Sequence, residues 1–397
     1  MMKINHLVSS VGQSSFGLGQ VALNLAKEHN ALGQMARIWC LSTPSEIQWA
    51  SRSSGLAEGY IIPFPPIGPK RWAFTPNMEL AAARTPARTI DVVHQHGIWT
   101  GITRVTNLLR RKHGIRTVIA PHGSLDRWAI KHSCWKKTLA LAAYERRNLY
   151  GASCLQATSD AEVSDFRDFG LTNPIALICN GASEQWLRAQ GDPSRFRSRF
   201  GIPQDRRIIL FLSRISPKKG LFLLIKAIKG NEAALGQWLL IIAGSNEFGH
   251  RAKVEALIES LALNDKVRVL GPLFGQEKRD AFSAADVFTL PSISEGAPVV
   301  ILDSLAAGVP VITTKASPWK ELKTHDCGWW VDINTSAIGE ALCAATGLSR
   351  PRLQEMGARG KMLVSYKYSW PRIANQTLAL YAWLLGQGEK PDFVIID

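Results

Sequence analysis

The chain has 397 residues, of which 46% are hydrophobic and 20% charged, a globular balance that suits two α/β domains of ordinary size. Its net charge of +15 fits phosphate-bearing substrates or an anionic membrane surface; nucleic acid fits less well, because the basic residues are spread out and no nucleic-acid-binding motif occurs. No apolar run approaches the roughly 20 residues of a membrane-spanning helix, which predicts a soluble, cytoplasmic protein.

In chain order, Lys3 to Val11 reads as a first strand rather than a signal peptide, since it lacks a long apolar stretch and a small-residue cleavage site. Further strands are predicted at Gln34 to Leu41, Val92 to Gln95, Thr117 to Ala120 and Cys154 to Thr158, with helices over Gly19 to Glu28, Gly101 to His113 and Trp135 to Tyr150. A strand at Ile178 to Ala182 ends in a turn-prone Asn-Gly and marks a domain boundary near residue 182, followed by a charged helix at Pro193 to Phe200. The pattern then repeats, with strands at Ile208 to Leu212, Leu239 to Ala243, Val267 to Leu270, Val287 to Leu290 and Val309 to Thr313. Short aliphatic strands alternating with helices predict a parallel sheet in each half. A helix rich in aromatics, Ser369 to Leu385, comes after the second sheet is complete, and the tail beyond Gly386 reads as frayed. The six cysteines show no Cys-x-x-Cys spacing and read as buried free thiols.

Four segments are candidates for chemistry. Gly17-Leu18-Gly19-Gln20-Val21-Ala22 follows a strand and opens a helix, so its backbone amides can face phosphate. A dinucleotide site would also need an acid at the end of the second strand, where the chain has Cys40-Leu41-Ser42-Thr43. Arg214 and Lys219 lie just beyond the strand Ile208 to Leu212, where open parallel sheets bind ligands, and two cations there can hold a diphosphate. Glu295 stands in the loop after Val287 to Leu290, and Asp303, eight positions later, lies in the helix that follows. The amides of Ala297 to Val300 are expected to face phosphate at that helix's start. Pro298 removes one N–H from the run. Finally, His94, His96 and His122 sit at carboxyl ends of strands, His122 in a glycine turn. The i, i+2 spacing of His94 and His96 is metal-like, but no third ligand is near in sequence, so no metal site is predicted.

Taken in order, these segments resemble the retaining glycosyltransferases of family 4, the glycosyl transferases group 1. The resemblance covers essentially the whole chain, from the Gly17 loop through Val93-His94-Gln95-His96-Gly97 and Pro121-His122-Gly123 to Ser213-Arg214, Lys219-Gly220, Ala285-Asp286-Val287, Ser294-Glu295-Gly296 and Ala306-Ala307-Gly308-Val309-Pro310. It implies the α/β GT-B fold: two Rossmann-like domains facing across a cleft, with a C-terminal helix packing back across both. The expected domains are an acceptor domain at 1–182, a nucleotide-sugar donor domain at 183–368, and a crossover helix and tail at 369–397. By the same resemblance, Arg214 and Lys219 bind the donor diphosphate and steady the leaving nucleotide. Glu295 contacts the transferred sugar, and Asp303, where the family's E-x7-E motif has glutamate, holds the ribose. Gly17 and Gly19 approach the phosphates, and His122 lines the sugar and acceptor side.

The implied reaction moves a sugar from a nucleotide-diphosphate-sugar to a glycan or lipid-linked acceptor in cell-surface polysaccharide synthesis, with retention. No Asp-x-Asp occurs, which predicts transfer without a metal or other cofactor. An epimerase, a phosphorylase and an inactive family member serving as a binding partner are the competing readings. The stretch Trp128 to Lys137, which combines tryptophans with cations, would suit peripheral contact with an anionic membrane.

Overall fold

In a computed structural model of the chain, all residues are described except 13–16, 66, 68–74, 87, 127–137, 183–190 and 397. The chain forms two compact units, Met1–Gly181 with Trp370–Asp397, and Ala182–Ser369.

The first unit is built on strands β1 (Lys3–Val8), β2 (Met35–Cys40), β3 (Ile61–Pro63), β4 (Val92–His96), β5 (Arg116–Ala120), β6 (Cys154–Ala157) and β7 (Ile175–Leu177), closed at one edge by Val394–Ile395 near the C-terminus. From that edge the order is Val394–Ile395, β7, β6, β5, β4, β1, β2, β3. Every pairing is parallel except that of Val394–Ile395 with β7. Order reverses between β1 and β4, and such a switch point opens a crevice at the carboxyl ends of the strands. The second unit contains β8 (Arg207–Leu212), β9 (Trp238–Ala243), β10 (Val267–Leu270), β11 (Val287–Leu290), β12 (Val311–Thr314) and β13 (Gly328–Val331). Their order is β10-β9-β8-β11-β12-β13, all parallel, with the switch between β8 and β11.

These strands form because both faces of each sheet are covered, so runs such as Trp238 to Ala243 are apolar at nearly every position and wholly buried. The strands expected from sequence are present, with ends moved by at most three residues, except the one expected at Ile178 to Ala182. Ile178 to Gly181 lies outside the ladder; the strand is Ile175–Leu177 just before it. Gly181 instead lets Trp370 approach, since a Cβ there would stand 2.5 Å from the indole.

The helix Trp370–Leu384 belongs to the first unit, where Ile373, Leu380 and Tyr381 join Val21, Ala22 and Leu25 of the helix Leu18–Ala31 in one core. The tail after it is not frayed: Val394 pairs with Ala176, and Val394 and Phe393 pack on the same core. A two-residue strand has too short a pattern to read, and its partner edge was itself unrecognised. Cys40, Cys154 and Cys327 are buried and, with Cys179 and Cys343, are free thiols; Cys134 and the stretch Trp128 to Lys137 lie outside the described residues.

Candidate active site

In the second unit, the loops after β8 and β11 meet at the switch point. The Ile293 amide donates to the Lys218 carbonyl at 2.8 Å, and Thr314 Oγ1 donates to the Ser292 carbonyl. Gly220, at φ 69°, brings its backbone so close to the neighbouring loop that a Cβ would fall 1.9 Å from the Pro291 carbonyl oxygen. Only glycine satisfies both the left-handed conformation and the space.

This join buries Lys219 against Glu295, whose Oε1 accepts from the lysine Nζ and, at 2.6 Å, from Ser292 Oγ. Both side chains are only 7% exposed. Burial lowers the Lys219 ammonium, partly offset by Glu295. For Glu295, burial raises the carboxyl, but Lys219 and Lys218 outweigh it and hold it on the ionised side. Arg214, about one-third exposed, pairs with Glu247 at 2.5 Å. Both expected cations thus stand at the β8 end with a carboxylate partner each.

The helix after the β11 loop is Val299–Ala306, with Pro298 at its N-cap. Ala297 therefore lies ahead of the helix, not in its first turn as expected. Pro298 also removes no first-turn donor, and the amides of Val299 and Val300 remain where no helical carbonyl reaches them. Asp303 is buried about one turn in, and its Oδ2 accepts from Lys278 Nζ at 2.6 Å.

In the first unit, Gly17 (φ 99°) caps the helix Leu18–Ala31, and Gly19 is buried in its first turn. His122 has φ 52° and is followed by Gly123 at φ 74°. A histidine in the left-handed region is uncommon and costs energy. The turn is held by the buried Glu162, which accepts from the Gly123 amide at 2.6 Å, the Thr158 amide at 2.8 Å and Thr158 Oγ1 at 2.7 Å. A second buried acid, Glu145, comes from a π turn, Leu141–Glu145, and accepts from the Trp99 amide and Thr103 Oγ1. Burial raises both carboxyls.

The histidines are more closely grouped than their spacing suggested. Parallel pairing sets His6 of β1 beside His94 of β4. One ring nitrogen each of His6, His94 and His96 lies within 4.8 Å of the others. The third partner missing from the local sequence thus arrives from another strand.

Two family descriptions divide the chain between them. "Glycosyl transferase 4-like domain" matches residues 16–181, and "Glycosyl transferases group 1" matches residues 193–346. The chain belongs to the family-4 type of the group 1 glycosyltransferases.

Among curated relatives of this glycosyltransferase, the GDP-mannose:cellobiosyl-diphosphopolyprenol alpha-mannosyltransferase of Xanthomonas campestris is 24% identical over 97% of this chain and 98% of its own. An uncharacterized glycosyltransferase of Methanocaldococcus jannaschii is 32% identical over 198 residues, so the match spans about half of either chain (47%). Sucrose-phosphate synthase from Thermosynechococcus elongatus superposes with a TM-score of 0.80 at 20% identity, covering 97% of this chain and 100% of that one. The fold of this glycosyltransferase is accordingly GT-B.

Sequence reasoning had missed Ser292, Glu247, Lys278, Glu145 and Glu162. Lys278 and Glu247 carried no signal, lying on separate helices and loops. Glu162 left a faint one: Ser159-Asp160-Ala161-Glu162 opens a helix, with Ser159 Oγ accepting from the Glu162 amide.

Proposed function

We propose that this glycosyltransferase moves a sugar from a nucleotide-diphosphate-sugar to a glycan or lipid-linked acceptor in cell-surface polysaccharide synthesis, retaining the anomeric configuration and needing no metal. The observation that carries this reading is the meeting of Arg214, Lys219 and Glu295 at the β8/β11 switch point. Arg214 and Lys219 bind the diphosphate and offset the charge that grows on it as the sugar departs. Their present partners Glu247 and Glu295 keep both cations in place before donor arrives, and phosphate oxygens can take over from Glu247 without removing a buried charge. The amides of Val299 and Val300 add donors from a helix N-terminus. Glu295 contacts the sugar and Asp303 the ribose. Residues 183–368 form the donor domain, 1–182 the acceptor domain, with Gly17 and Gly19 facing the phosphates and His122 the sugar; residues 369–397 are the crossover helix and tail.

Retention without an enzyme nucleophile follows if the leaving diphosphate takes the acceptor's proton on the face it vacates, so that the new bond forms where the old one broke. The name of the Xanthomonas relative includes a diphosphopolyprenol acceptor, which supports a lipid-linked acceptor here and work at the cytoplasmic membrane surface. No helix among the described residues is long and apolar enough to cross a membrane, so such contact would be peripheral.

A thermal-shift panel of UDP-, GDP- and ADP-sugars tests the donor site, because a bound donor raises the midpoint by mass action. One nucleotide series is expected to do so, and Arg214→Ala to remove the shift. Transfer to a polyprenyl-diphosphate glycan in EDTA then tests the chemistry. Activity lost in EDTA and restored by manganese would refute the metal-free step. Donor binding with no transfer would favour the binding-partner reading.

A further inference from the structure

Four histidines of the first unit form one hydrogen-bonded file. His29 Nε2 meets Thr377 Oγ1 at 2.7 Å, and His29 Nδ1 meets His6 Nε2 at 3.3 Å. His6 Nδ1 meets His96 Nε2 at 3.0 Å, and His96 Nδ1 meets His122 Nε2 at 3.4 Å. His6, His29 and His96 are buried, using both ring nitrogens within the file, whereas His122 is partly exposed. His94 is a side branch, with Nδ1 2.6 Å from the Tyr381 hydroxyl.

A neutral imidazole has one donor and one acceptor nitrogen, so the direction of one bond fixes all the others. Direction is set at the far end. Thr377 Oγ1 donates its single proton to the Ala374 carbonyl at 2.8 Å, which can only accept. Thr377 must then accept from His29 Nε2–H. His29 Nδ1 accepts from His6 Nε2–H, His6 Nδ1 from His96 Nε2–H, and His96 Nδ1 from His122 Nε2–H. We propose that this file, anchored on Thr377 of the C-terminal helix, holds His122 as its neutral Nε2–H tautomer and so leaves Nδ1 as a hydrogen-bond acceptor for a substrate hydroxyl.

His122 Nδ1 has no partner among the described residues. The meaning for catalysis rests on the reading that His122 lines the sugar side; the tautomer does not. His6, His29, His96 and Thr377 are positioning residues, acting through His122 as an orienting carboxylate acts on a catalytic histidine. The three nitrogens of His6, His94 and His96 have metal-like proximity. A dication there would break the His6–His96 hydrogen bond and sit buried among neutral rings with no carboxylate in the group to balance it.

Long-range proton–nitrogen correlation spectra of the full chain labelled with 15N-histidine read each tautomer directly. Neutral Nε2–H rings are expected for His6, His29, His96 and His122 at pH 7; His122 as Nδ1–H, or charged, overturns the proposal. One equivalent of zinc is expected to leave these signals in place, and their displacement would show a metal site instead. Thr377→Val removes the anchor, whereas Thr377→Ser keeps it. The valine variant is expected to give mixed tautomers at His122 and about a tenfold lower kcat at unchanged donor KM, the scale on which outer partners of an oriented histidine act, and serine to restore both. An unchanged His122 tautomer in the folded valine variant overturns the proposal. If no transfer is found at all, the spectra still decide the tautomer, so failure of the function and failure of the file are told apart.

Discussion

Lys219 and Glu295 stand 76 positions apart and follow strands that are neighbours in the sheet, and they meet as a buried ion pair. Neither loop positions its charge alone. Each charge is tolerable out of water only because the other is present, and breaking such a pair from one side typically costs about 3–5 kcal/mol.

Lys219→Ala is therefore expected to do two separable things. It lowers stability by leaving Glu295 buried and unpaired, and it lowers transfer by about 10²–10³-fold through loss of charge at the diphosphate. In urea unfolding, the double variant Lys219→Ala with Glu295→Ala should recover part of the stability while transfer stays low. Equal stability for the single and double variants would show that the pair is not coupled as described.

Gly220→Ala tests the join between the two loops. The added carbon would fall 1.9 Å from the Pro291 carbonyl at a φ of 69°, so either the Pro291 loop or the Lys219 turn must move. A loss of about 2 kcal/mol or more is expected, above the roughly 1 kcal/mol cost of a left-handed alanine alone. Donor-induced thermal shift should weaken in parallel; an unchanged shift would mean that the loops do not build the donor site together.

Much of the fold was legible in the sequence because parallel sheets buried on both faces are written as aliphatic runs, and the candidate site residues were sought just after those runs, where open sheets bind ligands. Arg214, Lys219, Glu295 and His122 all follow that rule. Val394–Ile395 could not be read, being two residues long and paired with a β7 of only three. The histidine file was unreadable for a different reason. His6, His29, His96 and His122 lie on a strand, a helix, a second strand and a turn, and they meet only through the pairing of β4 with β1 and with β5 and the packing of the helix Leu18–Ala31 on the sheet. Ala297 lies ahead of the helix because Pro298 stands extended at the N-cap, with ψ 110°, so that helical backbone begins only at Val299.

The buried histidines predict acid sensitivity. Burial lowers His122 to about 4 and His29 to about 3, and pushes His6, His94 and His96 well below the ordinary value. The unfolded chain, with histidines near 6.5, binds more protons than the folded one below that pH. The stability these groups contribute is complete above about pH 6.5 and is lost as pH falls toward 4 and 3. Glu145 and Glu162, raised by burial, act in the opposite sense, but five rings outnumber two carboxyls. Urea midpoints should decline from pH 7 to pH 5, and a flat profile there would contradict buried neutral rings.

Glu162→Gln isolates the support of the His122 turn. The carboxylate accepts from two amides and one hydroxyl, the Gly123 N–H on Oε1 and the Thr158 groups on Oε2. A glutamine keeps one oxygen and presents an NH2 to the donors on the other side, so one set must break. If the amide turns toward Gly123, the left-handed His122–Gly123 pair loses the bond that offsets its backbone cost. If it turns toward Thr158, the end of β6 is loosened instead. In the first case His122 shifts relative to the first sheet, and in the second the shift reaches it only through the loosened Thr158. The expected result is about a tenfold fall in kcat, on the scale of lost outer-partner contacts, with nucleotide-sugar thermal shift unchanged. A variant that loses the donor shift but keeps its kcat would place the nucleotide against the His122 turn rather than at Arg214 and Lys219.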